Sequence, residues 1–227
     1  MSSQADDPVV QAAVAALVND RGGLLRRIFG LVVAQVWIVA AEVAPVIFVE
    51  DVRRFFASHM LVICLVCLFV GVFSYLAIVF SPQSPANRTR FALFTVAAAT
   101  ILTAWCATVS ARAKAEWFLQ AFIVTMIIVI GVVMWSLSSQ PNSERVVLWI
   151  MVVLIAYASS IIVSVLYRVP GVRVICAVSG AVLFLLLLCQ DVWRAKQFFA
   201  SDEHIAGATV IFTDMALVLV NITFLGL

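Results

Sequence analysis

Charged residues are scarce in this chain, and that scarcity excludes more than any motif does. Asp, Glu, Lys and Arg make up 11% of the 227 residues, against roughly 25% in soluble domains. A water-soluble fold is excluded, because there is too little polar surface to cover the 65% of residues that are hydrophobic. The 14 basic and 12 acidic residues nearly cancel, to a net +2. No basic surplus is left to hold nucleic acid. The two histidines, His59 and His204, fall at expected helix ends, and neither belongs to a metal-ligand cluster. The five cysteines (Cys64, Cys67, Cys106, Cys176 and Cys189) all lie in apolar runs, which argues against an extracellular disulfide framework. Cys64 and Cys67 form a CxxC without the second ligand pair that zinc chemistry needs, so both are read as packing residues. Asp6, Asp7 and Asp20 precede the first apolar run. A signal peptide would carry a basic region and a small-residue cleavage site there, so the first helix is expected to be retained.

The chain is otherwise a series of long apolar runs separated by short polar links. Each run is too long and too continuous for a barrel strand, which alternates over about 10 residues. Seven spans of about 20 residues use up the sequence. They are expected near 25–49, 57–80, 91–111, 117–137, 146–167, 174–195 and 205–226, behind a short cytosolic tail at 1–23. The expected fold is all-α, a polytopic seven-transmembrane helix bundle occupying 24–227. The links include a charged turn at Glu50–Arg54, the breaks Ser81-Pro82-Gln83-Ser84-Pro85 and Ser138-Ser139-Gln140-Pro141-Asn142, and the Pro170-Gly171 turn. The N-terminal side would hold Arg21, Arg26, Arg27, Arg88, Arg90, Arg145, Arg194 and Lys196. The other side would hold Arg53, Arg54, Arg112, Lys114, Arg168 and Arg173. Eight against six favours a cytosolic N-terminus. The Asn87-Arg88-Thr89 sequon then lies on the cytosolic side.

Acids inside the apolar runs need a reason, since each costs about 2.5–3.5 kcal/mol on insertion. Glu42, Asp191 and Asp214 are such acids. Asp191 and Asp214 are equidistant from Ser201-Asp202-Glu203-His204, the polar stretch between the last two runs. In an antiparallel hairpin they share one depth, about 11 residues or about 17 Å from the turn. Two carboxyls in contact cannot easily both ionise, so the pair is expected to share a proton and to change state with pH. Such a pair suits proton sensing, cation binding or acid–base chemistry, and it suits plain helix packing as well. Gly207, Asp214 and Asn221 recur every seven residues and share an inward face. Gln35 and Glu42 share a face of the first span in the same way, where they could line an aqueous vestibule with Glu50 and Asp51 at its mouth.

Several stretches together resemble the transmembrane Bax inhibitor motif family, also called the lifeguard family. Leu24-Leu25-Arg26-Arg27-Ile28-Phe29, with Gln35 beyond, is similar to the family's opening helix. Pro85-Ala86-Asn87 with Leu93-Phe94-Thr95 is similar to its entry to span three, and Glu116 through Thr125 to its entry to span four. Leu187-Leu188-Cys189-Gln190-Asp191 resembles the end of its span six, where the family usually has an aromatic before the aspartate. Ala208–Leu225, with Phe212-Thr213-Asp214 and Asn221, resembles its last helix. The resemblance covers nearly the whole chain from about Arg21, and the ordered series is more specific than any one motif. Two departures stand out: no charge lies between Leu61 and Phe80, where some members carry an acid and an arginine, and the basic C-terminal tail of some eukaryotic members is absent. The short tails and compressed loops are similar to those of divergent seven-helix homologues carried by cytomegaloviruses.

The resemblance implies a bundle around a central helix, in endoplasmic reticulum or Golgi membranes. It implies a pH-sensitive calcium leak that lowers store calcium and modulates apoptosis. Asp191 and Asp214 would be the proton-sensing latch and a transient calcium site, with Gln35, Glu42 and Asn221 as pore-lining candidates. Calcium would be the transported ion, and no cofactor is implied. The partners would be the lipid bilayer and membrane proteins of the cell-death machinery. The alternative is a non-conducting membrane protein that regulates cell death or trafficking through its helix faces. Enzyme readings fit less well. An intramembrane aspartyl protease needs Gly-x-Gly-Asp where this chain has Ile211-Phe212-Thr213-Asp214. A rhomboid-type serine protease would use Ser179 in Ala177-Val178-Ser179-Gly180-Ala181, but no histidine lies within a later span. A seven-helix receptor would carry Asp-Arg-Tyr and Asn-Pro-x-x-Tyr, and neither occurs.

Overall fold

The computed structural model describes residues 8–112, 115–138, 143–167, 170–200 and 202–225. The described residues are helical almost throughout and include no strand. The helices are α1 (Pro8–Phe48), α2 (Glu50–Ser58), α3 (Met60–Phe80), α4 (Asn87–Arg112), α5 (Ala115–Ser138), α6 (Ser143–Tyr167), α7 (Pro170–Gln197) and α8 (His204–Phe224). Six of them contain stretches long and apolar enough to cross a membrane: α1, α3, α4, α5, α7 and α8. The expected span at 146–167 coincides with α6, 25 residues long and apolar over Trp149–Ser159. The protein is a polytopic membrane helix bundle.

The arrangement follows from what hydrocarbon permits. Apolar side chains can face lipid as well as the core, so small and polar residues are the ones that must be turned inward. The first turns of α8 carry Ala206-Gly207-Ala208-Thr209, all buried, and these residues let neighbouring helices approach closely. α8 is packed by α1, α3, α4, α5 and α7, which makes it the centre of the bundle. α6 lies outside, against α7. Gly207 sits in a crowded place, where a Cβ would lie 2.9 Å from Ile28 Cδ1 and 3.0 Å from the Phe199 ring and would push those side chains aside.

Cross-links at the two ends fix the helix directions. Arg21 Nη1 donates to Phe199 O at 2.7 Å, tying the membrane entry of α1 to the α7–α8 turn. Lys196 Nζ donates to Leu137 O at 2.6 Å, where a cation meets the free carbonyls at the C-terminal end of α5. At the far end, the indole N–H groups of Trp105 and Trp117 donate to Thr223 Oγ1 (2.7 Å) and Thr223 O (3.4 Å). α1, α4 and α8 therefore run parallel, as the alternation of spans requires.

Several local expectations are corrected. The charged turn after the first span is the helix α2, set off by extended Val49 (φ −115°, ψ 112°). Glu50 and Asp51 occupy its first turn, where the helix dipole favours anions, and Arg54 pairs with Glu50 at 2.6 Å across one turn. The second span consequently starts at Met60 rather than 57, because His59 closes α2 with its N–H on Phe55 O. The third starts at Asn87, four residues earlier than expected, and α7 extends the expected 174–195 to 170–197. The expected tail at 1–23 overlaps α1, which continues unbroken from Pro8. Residues 1–7, 113–114, 139–142, 168–169, 201 and 226–227, which include parts of the expected tail, links (Lys114 and Ser201 among them) and C-terminus, lie outside the described residues. Asn87 of the sequon is 1% exposed, and its Nδ2 donates to Ser81 O and Pro82 O at 2.8 Å. The amide that a glycan would use instead caps the α3–α4 turn.

Candidate functional site

The α7–α8 hairpin brings Asp191 and Asp214 together. Their carboxyls stand close enough to interact electrostatically. α8 carries Asp214 on the seven-residue seam that includes Gly207 and Asn221, and the whole seam faces the α7 side. Gly207 meets Phe199 of the turn, Asp214 meets Asp191, and Asn221 meets Gly180. A Cβ on Gly180 would collide with the Asn221 amide and lie 2.7 Å from the Tyr157 ring, so glycine is what lets α7 sit against α8 here.

The two carboxyls differ in their surroundings. Asp214 is 6% exposed, flanked by fully buried Ile211 and Val218, and its Oδ2 has no hydrogen-bond partner. Asp191 is more open, and its Oδ1 lies 3.7 Å from Arg194 Nη1. Ionised carboxylates are acceptors only, so a hydrogen bond between the two needs a proton on one of them. The geometry suits one proton and one negative charge. Arg194 stands beside Asp191, whereas apolar side chains surround Asp214.

The other site residues do not converge on this pair. Gln35 is fully buried; its Nε2 donates to Thr95 Oγ1 at 3.0 Å, and its Oε1 is unpartnered. Glu42 is half-buried and accepts from Thr100 Oγ1 at 3.3 Å. Both side chains thus engage α4. Asn221 bonds Leu217 O at 2.8 Å and the Tyr157 hydroxyl of α6. Glu50, expected at a vestibule mouth, is paired with Arg54 in α2. Among the described residues no group of three His, Cys, Asp or Glu side chains forms a metal cluster. The five cysteines are free thiols. His59 and His204 lie at helix ends.

Two residues near the pair were not anticipated. Tyr75 of α3 comes within electrostatic reach of both aspartates and its ring lies tilted against Phe94 at 6.0 Å, which contacts Phe212 edge-on at 6.3 Å. Its sequence signal was weak: a single tyrosine in a span read as apolar throughout. Arg194 was read only as a topology marker, although its i+3 spacing from Asp191 already allowed the ion pair.

Residues 21–225 match the family model described as "Inhibitor of apoptosis-promoting Bax1". Protein lifeguard 3 of Homo sapiens is 25% identical over 207 residues, an alignment covering 86% of this chain and 65% of the human protein. The chain thus spans just under two thirds of that relative's length.

Proposed function

We propose that this chain, which belongs to the family of inhibitors of apoptosis-promoting Bax1, is a pH-sensitive calcium leak channel gated by Asp191 and Asp214. It is a multi-pass membrane protein; the proposal places it in endoplasmic reticulum or Golgi membranes with its N-terminus cytosolic. There it lowers store calcium and thereby modulates apoptosis, without enzymatic chemistry. The observation that carries the reading is the carboxyl–carboxyl contact between α7 and the central helix α8, set deep in an apolar span.

The gate follows from the charge count. With one proton shared, the hydrogen bond holds α7 against α8. Removing that proton leaves two like charges in contact. Unit charges about 4 Å apart repel by about 4 kcal/mol at an effective dielectric of about 20. Switching a two-state element from 1:99 to 99:1 takes about 5.5 kcal/mol. The repulsion is therefore of the size a gate needs, and the separated carboxylates offer oxygen ligands to a passing calcium ion. Raising pH opens this gate and lowering pH closes it.

The test is calcium flux from liposomes holding the purified protein, read across roughly pH 6 to 8. The wild type should leak more as pH rises. Asp191→Asn and Asp214→Asn should each flatten the profile, since neither can build the doubly ionised state. Flux equal to that of protein-free liposomes at every pH would overturn the channel and leave the interaction-protein alternative.

A further inference from the structure

At the end of the bundle opposite the α7–α8 turn, two features adjoin. The first is an apolar groove of about 300 Å³ between the last turns of α1 and the first turns of α5. Val39, Val43, Ile47 and Phe48 form one wall, and Phe118 and Phe122 the other. The second is a polar pocket of about 510 Å³ bounded by Glu50, Arg53, Arg54 and Ser58 of α2 and by Ser110 at the end of α4. Phe48 at the groove's mouth is two residues from Glu50 at the pocket's rim, at most about 7 Å of chain.

α2 is a fixed shelf, because its apolar side is used within the protein. Val52, Phe56 and Ala57 pack into the core beside α4. That packing holds Arg53, half-buried, and Arg54, exposed, at the membrane interface. Glu50 pairs with Arg54. Among the described residues Arg53 forms no ion pair, so the groups that line the pocket leave one positive charge over, with Asp51 exposed on the same helix outside that lining. One surplus positive charge matches one phosphodiester. Guanidinium groups bind phosphate with paired N–H donors, and those of Arg53 and Arg54 stand beside the hydrocarbon-depth groove. The groove is of a different chemistry. It lies at hydrocarbon depth and is lined by aliphatic and aromatic side chains, so an extended peptide there would leave backbone groups unsatisfied. An acyl chain has no such groups.

We infer that this end of the protein binds a single glycerophospholipid, its phosphate against Arg53 and Arg54 and one acyl chain between α1 and α5. The site is separate from the aspartate pair and does not depend on conduction.

The experiment uses the full chain in phosphatidylcholine vesicles, doped with photoactivatable phosphatidylglycerol or with photoactivatable diacylglycerol of the same acyl chain. Cross-linked residues are mapped by mass spectrometry. Phosphatidylglycerol should label 39–48 and 118–122 roughly fivefold more than diacylglycerol, or better, from one to two arginine–phosphate contacts. Arg53→Gln combined with Arg54→Gln should reduce that labelling to the diacylglycerol level and leave labelling of α3 unchanged, which also shows that the variant is folded. Arg53→Lys with Arg54→Lys should retain part of the preference. Ala44→Trp, which fills the groove, should lower labelling by both lipids. Equal labelling by the two probes in the wild type, or a preference that survives loss of both arginines, would overturn the site. Displacement of the labelled lipid by excess inorganic phosphate would make it a site for a soluble anion and overturn it equally.

Discussion

α3 and α8 are both 21 residues long, and they solve opposite problems. Of the most apolar stretch of α8, 61% is buried within the protein, against 17% for α3. α3 carries Leu61, Leu65, Phe69 and Phe73 outward, each more than half exposed to what is lipid in a membrane. α8 carries Thr209, Asp214, Asn221 and Thr223 inward, each nearly or fully buried. The more polar helix is the more deeply enclosed. In water the reverse holds, because burial there is driven by apolar surface. In lipid that drive vanishes between helices, and close packing and polar contacts decide which helix is central.

The contrast can be broken most forcefully by giving α3 what α8 tolerates. Leu65→Asp puts on the lipid face of α3 the residue type that α8 holds at 214, and it should cost about 2.5–3.5 kcal/mol of insertion free energy. A glycosylation-mapped insertion assay should show α3 failing to span; normal insertion would mean that this face is not against lipid. The next largest effect should come from α8's own seam. Gly180→Leu forces a side chain into the space held by Asn221 and Tyr157, and overpacking of this kind costs about 1–3 kcal/mol. Thermal unfolding in detergent should shift down markedly, and an unchanged midpoint would show that α7 does not press on α8 there. The smallest effect should come from trimming α3. Val66→Ala, at a site 58% exposed, should stay within about 0.5 kcal/mol. A larger loss would reveal a protein neighbour where the bundle shows an open face.

Much of this was legible in the sequence, for a physical reason. Membrane spans must be long and apolar, so their order and approximate positions could be read directly, although six of the seven expected have the length and apolarity to cross, and the hairpin symmetry of Asp191 and Asp214 predicted shared depth without any knowledge of neighbours. What could not be read was which neighbour each polar face meets. Periodicity places Gln35 and Glu42 on one face of α1, but only the bundle shows that Thr95 and Thr100 of α4 stand opposite. Asn221 shares a face with Asp214, yet two turns further on that face meets a glycine and a tyrosine instead of an acid. α2 escaped because its four charges in nine residues look like a turn. Its short apolar side becomes visible only when α4 is there to receive it.

The close contact at Gly180 also has a mechanical meaning. It lies eleven residues along α7 from Asp191. If α7 and α8 part at the aspartates while remaining pressed together at Gly180, that glycine is a fulcrum and α7 a lever arm. Over about 17 Å of helix, a tilt of about 10° displaces the Asp191 end by about 3 Å. A small rocking motion at one end of the hairpin is thereby geared into a gap the width of a hydrogen bond at the other.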